Sequence, residues 1–140
     1  LTTEGGLDVV SDPDGVAATV KAFQEAGIPV SLFVDPETAQ VEAAAATGAH
    51  YVELHTGRYA DAPDEATVGT ELEALRRSAQ EAARLGLRVN AGHGLRTDNV
   101  GPVSASPAVE ELSIGHFIMG RALQIGVEAA VAEMREAMHG

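Results

Sequence analysis

The chain has 140 residues, 45% of them hydrophobic but only 4% aromatic, with a formal net charge of −12 and no cysteine. This length suits one domain with a core of Ala, Val, Leu and Ile. The acidic balance argues against a nucleic-acid or anionic-membrane surface, which needs a basic patch, and no apolar run approaches the ~20 residues that span a bilayer.

One small phosphate held by backbone amides stays compatible with the charge. The lack of cysteine excludes a disulfide framework and fits a reducing, cytoplasmic setting. The sequence starts at Leu1, and Thr2-Thr3-Glu4-Gly5-Gly6 reads as the middle of a loop. A fragment of a longer protein is therefore expected.

Residues 1–13 are polar and read as a loop. Asp12-Pro13-Asp14 is a helix-start signal, followed by Val16, Val20 and Phe23 at helical spacing and stopped by Gly27. Residues 28–34 read as a strand closed by Asp35-Pro36. Pro36, at a first helical position, opens an Ala-rich helix over 37–46 that Gly48 ends. A strand over 51–54 leads into the loop His55-Thr56-Gly57-Arg58-Tyr59. A long helix over 65–85 stops at Gly86, and residues 87–91 form the third strand. Residues 92–98 are a glycine loop, 100–106 a short helix, and 111–114 the fourth strand. Gly115-His116 then opens a helix from 117 to 138, with a break near Gly126.

Strand–helix units with short connections are the signature of parallel βα structure. Each strand carries one polar residue among apolar ones: Ser31, Glu53, Asn90 and Ser113. Side chains alternate along a strand, so the four polar residues can share one face. A polar face opposite an apolar one suits a barrel wall better than an open doubly wound sheet, whose strands are apolar on both sides. A (β/α)8 barrel needs about 250 residues, so four units amount to half a TIM-type barrel. The whole chain, 1–140, is expected to be that single half-barrel.

In such barrels the site lies at the C-terminal ends of the strands. Asp35, Glu53, His55, Thr56, His93, Gly94, Gly115 and His116 stand there. In Gly92-His93-Gly94, two glycines allow a tight turn that bares amide N–H groups beside a titratable ring. The plainer reading is a strand-ending turn with a surface histidine. Gly115-His116 opens a helix whose free N–H groups favour an anion. Glu53 either pairs with a buried cation or stabilises developing positive charge. His55 either bonds a loop carbonyl or serves the site, and Asp35 is either a helix cap or a ligand. A zinc site from His55, His93 and His116 is conceivable, but nothing in the sequence requires one.

With these stretches in view the chain resembles the pyridoxine 5′-phosphate synthase family, the ring-closing enzymes of vitamin B6 synthesis. The matching segments are Thr2-Thr3-Glu4-Gly5-Gly6-Leu7-Asp8-Val9, Val30-Ser31-Leu32-Phe33, Glu53-Leu54-His55-Thr56-Gly57, Val89 to Leu95, and Ile114-Gly115-His116 followed by Gly120-Arg121-Ala122. No single segment is specific; all five in this order are. The resemblance spans the chain but only strands five to eight of the family's barrel.

It implies condensation of 3-amino-2-oxopropyl phosphate with 1-deoxy-D-xylulose 5-phosphate to give pyridoxine 5′-phosphate, phosphate and water, with no metal or organic cofactor. By the same resemblance, His93 is the proton donor and Glu53 stabilises the cationic transition state. Thr2 contacts the deoxyxylulose phosphate, while Gly94, Gly115 and His116 contact the amino-oxopropyl phosphate. A homo-oligomer is implied too, and two further catalytic bases lie in the absent half. The competing readings are another phosphate-binding barrel enzyme, such as an epimerase or thiazole-forming synthase, and a non-catalytic half-barrel that self-associates.

Overall fold

The computed structural model describes residues 5–139. Its elements in chain order are α1 (Pro13–Glu25), β1 (Ser31–Val34), α2 (Thr38–Ala46), β2 (Tyr51–His55), α3 (Gly57–Ala60), α4 (Glu65–Arg84), β3 (Arg88–Gly92), α5 (Gly101–Ser104), β4 (Val109–Ser113), α6 (His116–Ile125) and α7 (Val127–His139). The strands form one parallel sheet in the order β1-β2-β3-β4. Each strand thus lies beside its sequence neighbour, as in a barrel wall, and β1 and β4 each pair on one side only among the described residues.

Local chemistry sets the helix ends. Asp12 caps α1, its carboxylate accepting from the Gly15 N–H at 3.0 Å with Pro13 in the first turn, and Asp64 caps α4 through the Thr67 N–H at 2.8 Å. Such caps satisfy donors that the helix leaves orphaned. Gly27, Gly48 and Gly86 follow α1, α2 and α4 with φ of 76°, 80° and 87°. This is the left-handed exit that returns the chain to the next strand. Gly126 (φ 86°) breaks α6 from α7 as expected.

The sheet has two unlike faces. Leu32, Val34, Val52, Leu54, Val89 and Ala91 are buried against the helices, where they meet Val20, Val41, Leu75, Ala79, Val103 and Met134. Burying one such aliphatic side chain stabilises the fold by roughly 1.5–3 kcal/mol. The register aligns Phe33, Glu53, Asn90 and Glu111 across the other face, and Gly92 with Ser113. Alternation along the strands then puts Ser31, Glu53, Asn90 and Ser113 on that open face together, as the polar pattern requires.

Four details differ from the sequence reading. Pro36 does not begin a helix: Glu37 is the extended N-cap of α2, which starts at Thr38. The loop after His55 contains the four-residue α3, too short for any periodicity to reveal. The short helix expected over 100–106 is confined to Gly101–Ser104. β4 starts at Val109 because the register slips between Val89 and Asn90, leaving Glu110 as a bulge. The extra residue lets Val109 face the helices while Glu111 and Ser113 face away.

Candidate active site

The C-terminal ends of the strands enclose an open cleft of about 620 Å³ whose walls include Glu53, His93, Gly94, Gly115 and His116. These five sequence-derived candidates therefore meet in one place. The sixth, Thr2, lies outside the described residues.

Glu53 projects from the open face of β2 and is half-buried. Its carboxylate lies over Gly92, where a Cβ would come within 2.7 Å of Oε1. The bare glycine makes room for the acid beside the next residue, His93. Among the described residues no Lys or Arg forms an ion pair with Glu53, so its charge is left to face the cleft.

His93 has a φ of 90°, in the left-handed region that non-glycine residues rarely occupy. Such a conformation costs about 1–3 kcal/mol and persists only where surroundings over-determine it. Here Thr56, wholly buried, donates its hydroxyl to the His93 carbonyl at 2.5 Å. The Thr56 N–H donates to the Gly92 carbonyl at 2.8 Å. The ring is exposed to the cleft, and one side of it meets the His55 ring edge-on, with centroids 4.9 Å apart and planes at 64°.

His55 does not bond a loop carbonyl. It is buried, and its Nδ1 lies 2.9 Å from Asp35 Oδ1. Asp35 does not cap α2 either: the Asp35-Pro36-Glu37 turn directs its carboxylate to His55, to the Gly6 N–H at 3.2 Å and towards Arg58 Nη2 at 3.5 Å. Burial pushes the Asp35 carboxyl up, but the His55 bond, the Gly6 amide and the Arg58 charge outweigh it and hold the group below the ordinary aspartate value.

Gly115 is the N-cap of α6 and offers no side-chain cap, so N–H groups of the first turn remain free toward the cleft. With the Gly94 turn (φ 73°) after the neighbouring strand β3 lining the same cleft, this end suits an anion. Among the described residues no three His, Asp or Glu side chains group closely enough to hold a metal ion, so the His55, His93 and His116 zinc arrangement is not formed.

Sequence reasoning missed two cleft residues. Asp61 sits just past α3, and Arg96 reaches the Ala60 carbonyl at 3.4 Å and Asp98 at 3.2 Å. Arg96 falls inside the glycine loop, and a cation beside Gly-His-Gly was the available signal. Arg121, from one of the resembling segments, plays a tying role: it grips Glu133 of α7 at 2.8 and 2.9 Å, bracing α6 across the Gly126 break.

The family model described as pyridoxal phosphate biosynthesis protein PdxJ matches residues 1–140. A pyridoxine 5′-phosphate synthase of Synechococcus sp. is 54% identical over 138 residues, covering 99% of this chain and 58% of that protein. Those of Gloeothece citriformis and a Cyanothece species are 54% and 51% identical over 140 residues, each covering all of this chain and 58% of the relative. The chain thus spans somewhat over half the length of the curated relatives it matches, and it belongs to the PdxJ family of pyridoxal phosphate biosynthesis proteins.

Proposed function

We propose that this chain forms strands five to eight of a pyridoxine 5′-phosphate synthase barrel and supplies one wall of its active site. The observation that carries the reading is Glu53 and His93 sharing one cleft with the uncapped N-terminus of α6. The substrates would be 3-amino-2-oxopropyl phosphate and 1-deoxy-D-xylulose 5-phosphate, and the products pyridoxine 5′-phosphate, phosphate and water.

The condensation joins an amine to a carbonyl and then expels water and phosphate, so protons must be delivered repeatedly to leaving oxygens. His93, exposed at the turn, is the donor; a positioned general acid contributes typically 10²- to 10⁴-fold. Glu53, with no cation of its own among the described residues, offers negative charge where the iminium-like transition state becomes positive. Gly94, Gly115 and His116 hold the phosphate of the amino-oxopropyl substrate through backbone donors, and Thr2 contacts the sugar phosphate. The bases that complete the proton cycle come from the other four strands. Closing the barrel would also remove water from the open face and strengthen these charge interactions. No metal or organic cofactor is required for this chemistry. A cytoplasmic homo-oligomer is the form we propose; among the described residues no helix is long and apolar enough to cross a membrane.

The test is formation of pyridoxine 5′-phosphate from the two substrates by the complete barrel carrying H93N or E53Q. Turnover should drop by 10² or more in each with modest changes in KM. Wild-type turnover in H93N would reduce His93 to a turn residue. A wild-type barrel that binds both phosphates and makes no pyridoxine 5′-phosphate would point to another barrel enzyme.

A further inference from the structure

Asp35 and His55 take no part in the chemistry above, yet both are built into the wall behind His93. His55 is 6% exposed. An ionised carboxylate only accepts hydrogen bonds, so the 2.9 Å contact requires the proton on His55 Nδ1. That bond fixes the plane of the His55 ring. Phe33 packs edge-on against it from the β1 side, with centroids 5.1 Å apart, and His93 meets it from the β3 side. The far nitrogen, Nε2, is buried and finds no hydrogen-bond partner among the described residues. It lies against Gly57: a Cβ there would stand 2.6 Å from Nε2 and 3.2 Å from His93 Cδ2. The glycine keeps open the space in which the two rings touch.

His93 has reason to need such a neighbour. Its backbone is strained, and its ring makes no hydrogen bond among the described residues. Consecutive residues at the end of β2 hold both halves of it: Thr56 grips the carbonyl and His55 abuts the ring.

We propose that His55, fixed by Asp35, is a positioning residue that sets the orientation of the His93 ring. The consequence for turnover rests on His93 being the proton donor; the orientation itself does not.

Two readouts separate these in the complete protein. In imidazole ¹H–¹⁵N spectra, H55A should shift and broaden the His93 ring signals, and D35A should do the same by releasing the His55 ring. His50, at the opposite end of β2 and held by Gln24 and the Val30 amide, should keep its native signals and so report that the variants are folded. In turnover, a misplacement near 1 Å costs about 10²-fold, so H55A should lower kcat by about 10- to 100-fold with KM nearly unchanged. In an H93N background H55A should cost nothing more, because a group acting through His93 has nothing left to act on. His93 signals unchanged in folded H55A, or equal kcat losses in both backgrounds, would overturn the proposal. Unchanged His93 signals in folded D35A would remove Asp35 from it. Normal turnover in H93N would overturn the proton-donor reading, and the spectra alone would then decide whether His55 orients the ring.

Discussion

Thr56→Val tests whether a single hydroxyl holds the His93 turn. The substitution keeps the shape of a fully buried side chain and deletes only the donor that reaches the His93 carbonyl at 2.5 Å. The net value of such a bond is about 0.5–1.5 kcal/mol, rising to about 1–3 kcal/mol where a buried acceptor is left unpaired. Part of the loss is offset because His93, strained at φ 90°, can relax once released. A destabilisation of about 1–2 kcal/mol remains, several degrees in Tm for a domain of this size. Thr56→Ser is the control: it retains the hydroxyl and loses one methyl, worth about 0.8 kcal/mol. Urea unfolding followed by far-UV circular dichroism, with hydrogen exchange at the residue-56 amide, which donates to the Gly92 carbonyl at 2.8 Å, reads both the global and the local effect. Val should be the worse variant, with faster exchange at that amide relative to its intrinsic rate. If Ser is as damaging as Val or more so, methyl packing rather than the bond holds the turn, and the reasoning fails.

The lowered Asp35 carboxyl predicts an acid-side loss of stability. The unfolded chain takes up the proton first, near the ordinary value of 3.8, so the contribution is present above that pH and fades as pH falls through the lowered native value. D35N should flatten this limb in urea midpoints measured against pH, while Asp8, lowered by Ser11 and Gln40, and Asp64, lowered by Thr67, preserve a residual slope; an unchanged limb would refute it. Gly92→Ala drives a Cβ to 2.7 Å from both Glu53 Oε1 and the Ser113 carbonyl. Overpacking of that kind costs typically 1–3 kcal/mol, and the melting temperature should fall together with turnover. A Cβ at Gly115 meets nothing within 4 Å, so the melt of Gly115→Val should fall only by the modest cost of a poorer N-cap residue while calorimetry shows weakened binding of the amino-oxopropyl phosphate, more than of the sugar phosphate; equal weakening would count against the assignment of this helix end.

The broad architecture was legible because its signals are local. Strand, helix and exit glycine recur within windows of twenty residues or so, and the polar residue in each strand announces a two-faced sheet. His93, Gly94, Gly115 and His116 were legible as candidates since each sits where a strand ends, and Glu53 as the one polar residue within its strand. The partnership of Asp35 with His55 was not, because two residues twenty apart in sequence are joined only by the Ser31-to-Tyr51 register. Either side chain taken alone has an ordinary use. The Glu110 bulge is invisible for a related reason: Val109-Glu110-Glu111 has no alternation to betray an inserted residue, and the slip is defined only against β3. Gly57 stands in a loop by its sequence, whereas its missing Cβ matters through the ring of His55, two residues before it, and that of His93, which follows β3.

The order β1-β2-β3-β4 also bears on how the chain is made. Each strand pairs with the one synthesised just before it, so no segment must wait for a distant partner, and the sheet can grow unit by unit as residues leave the ribosome. Loop closure is least costly when the joined ends are near in sequence. The step from β2 to β3 is the slow one to expect, since α3 and the twenty residues of α4 intervene. It is also the step that brings His93 to His55 and Thr56. Until β3 docks, the end of β2 has nothing to hold, and the His93 turn would be among the last features of the nascent wall to take shape.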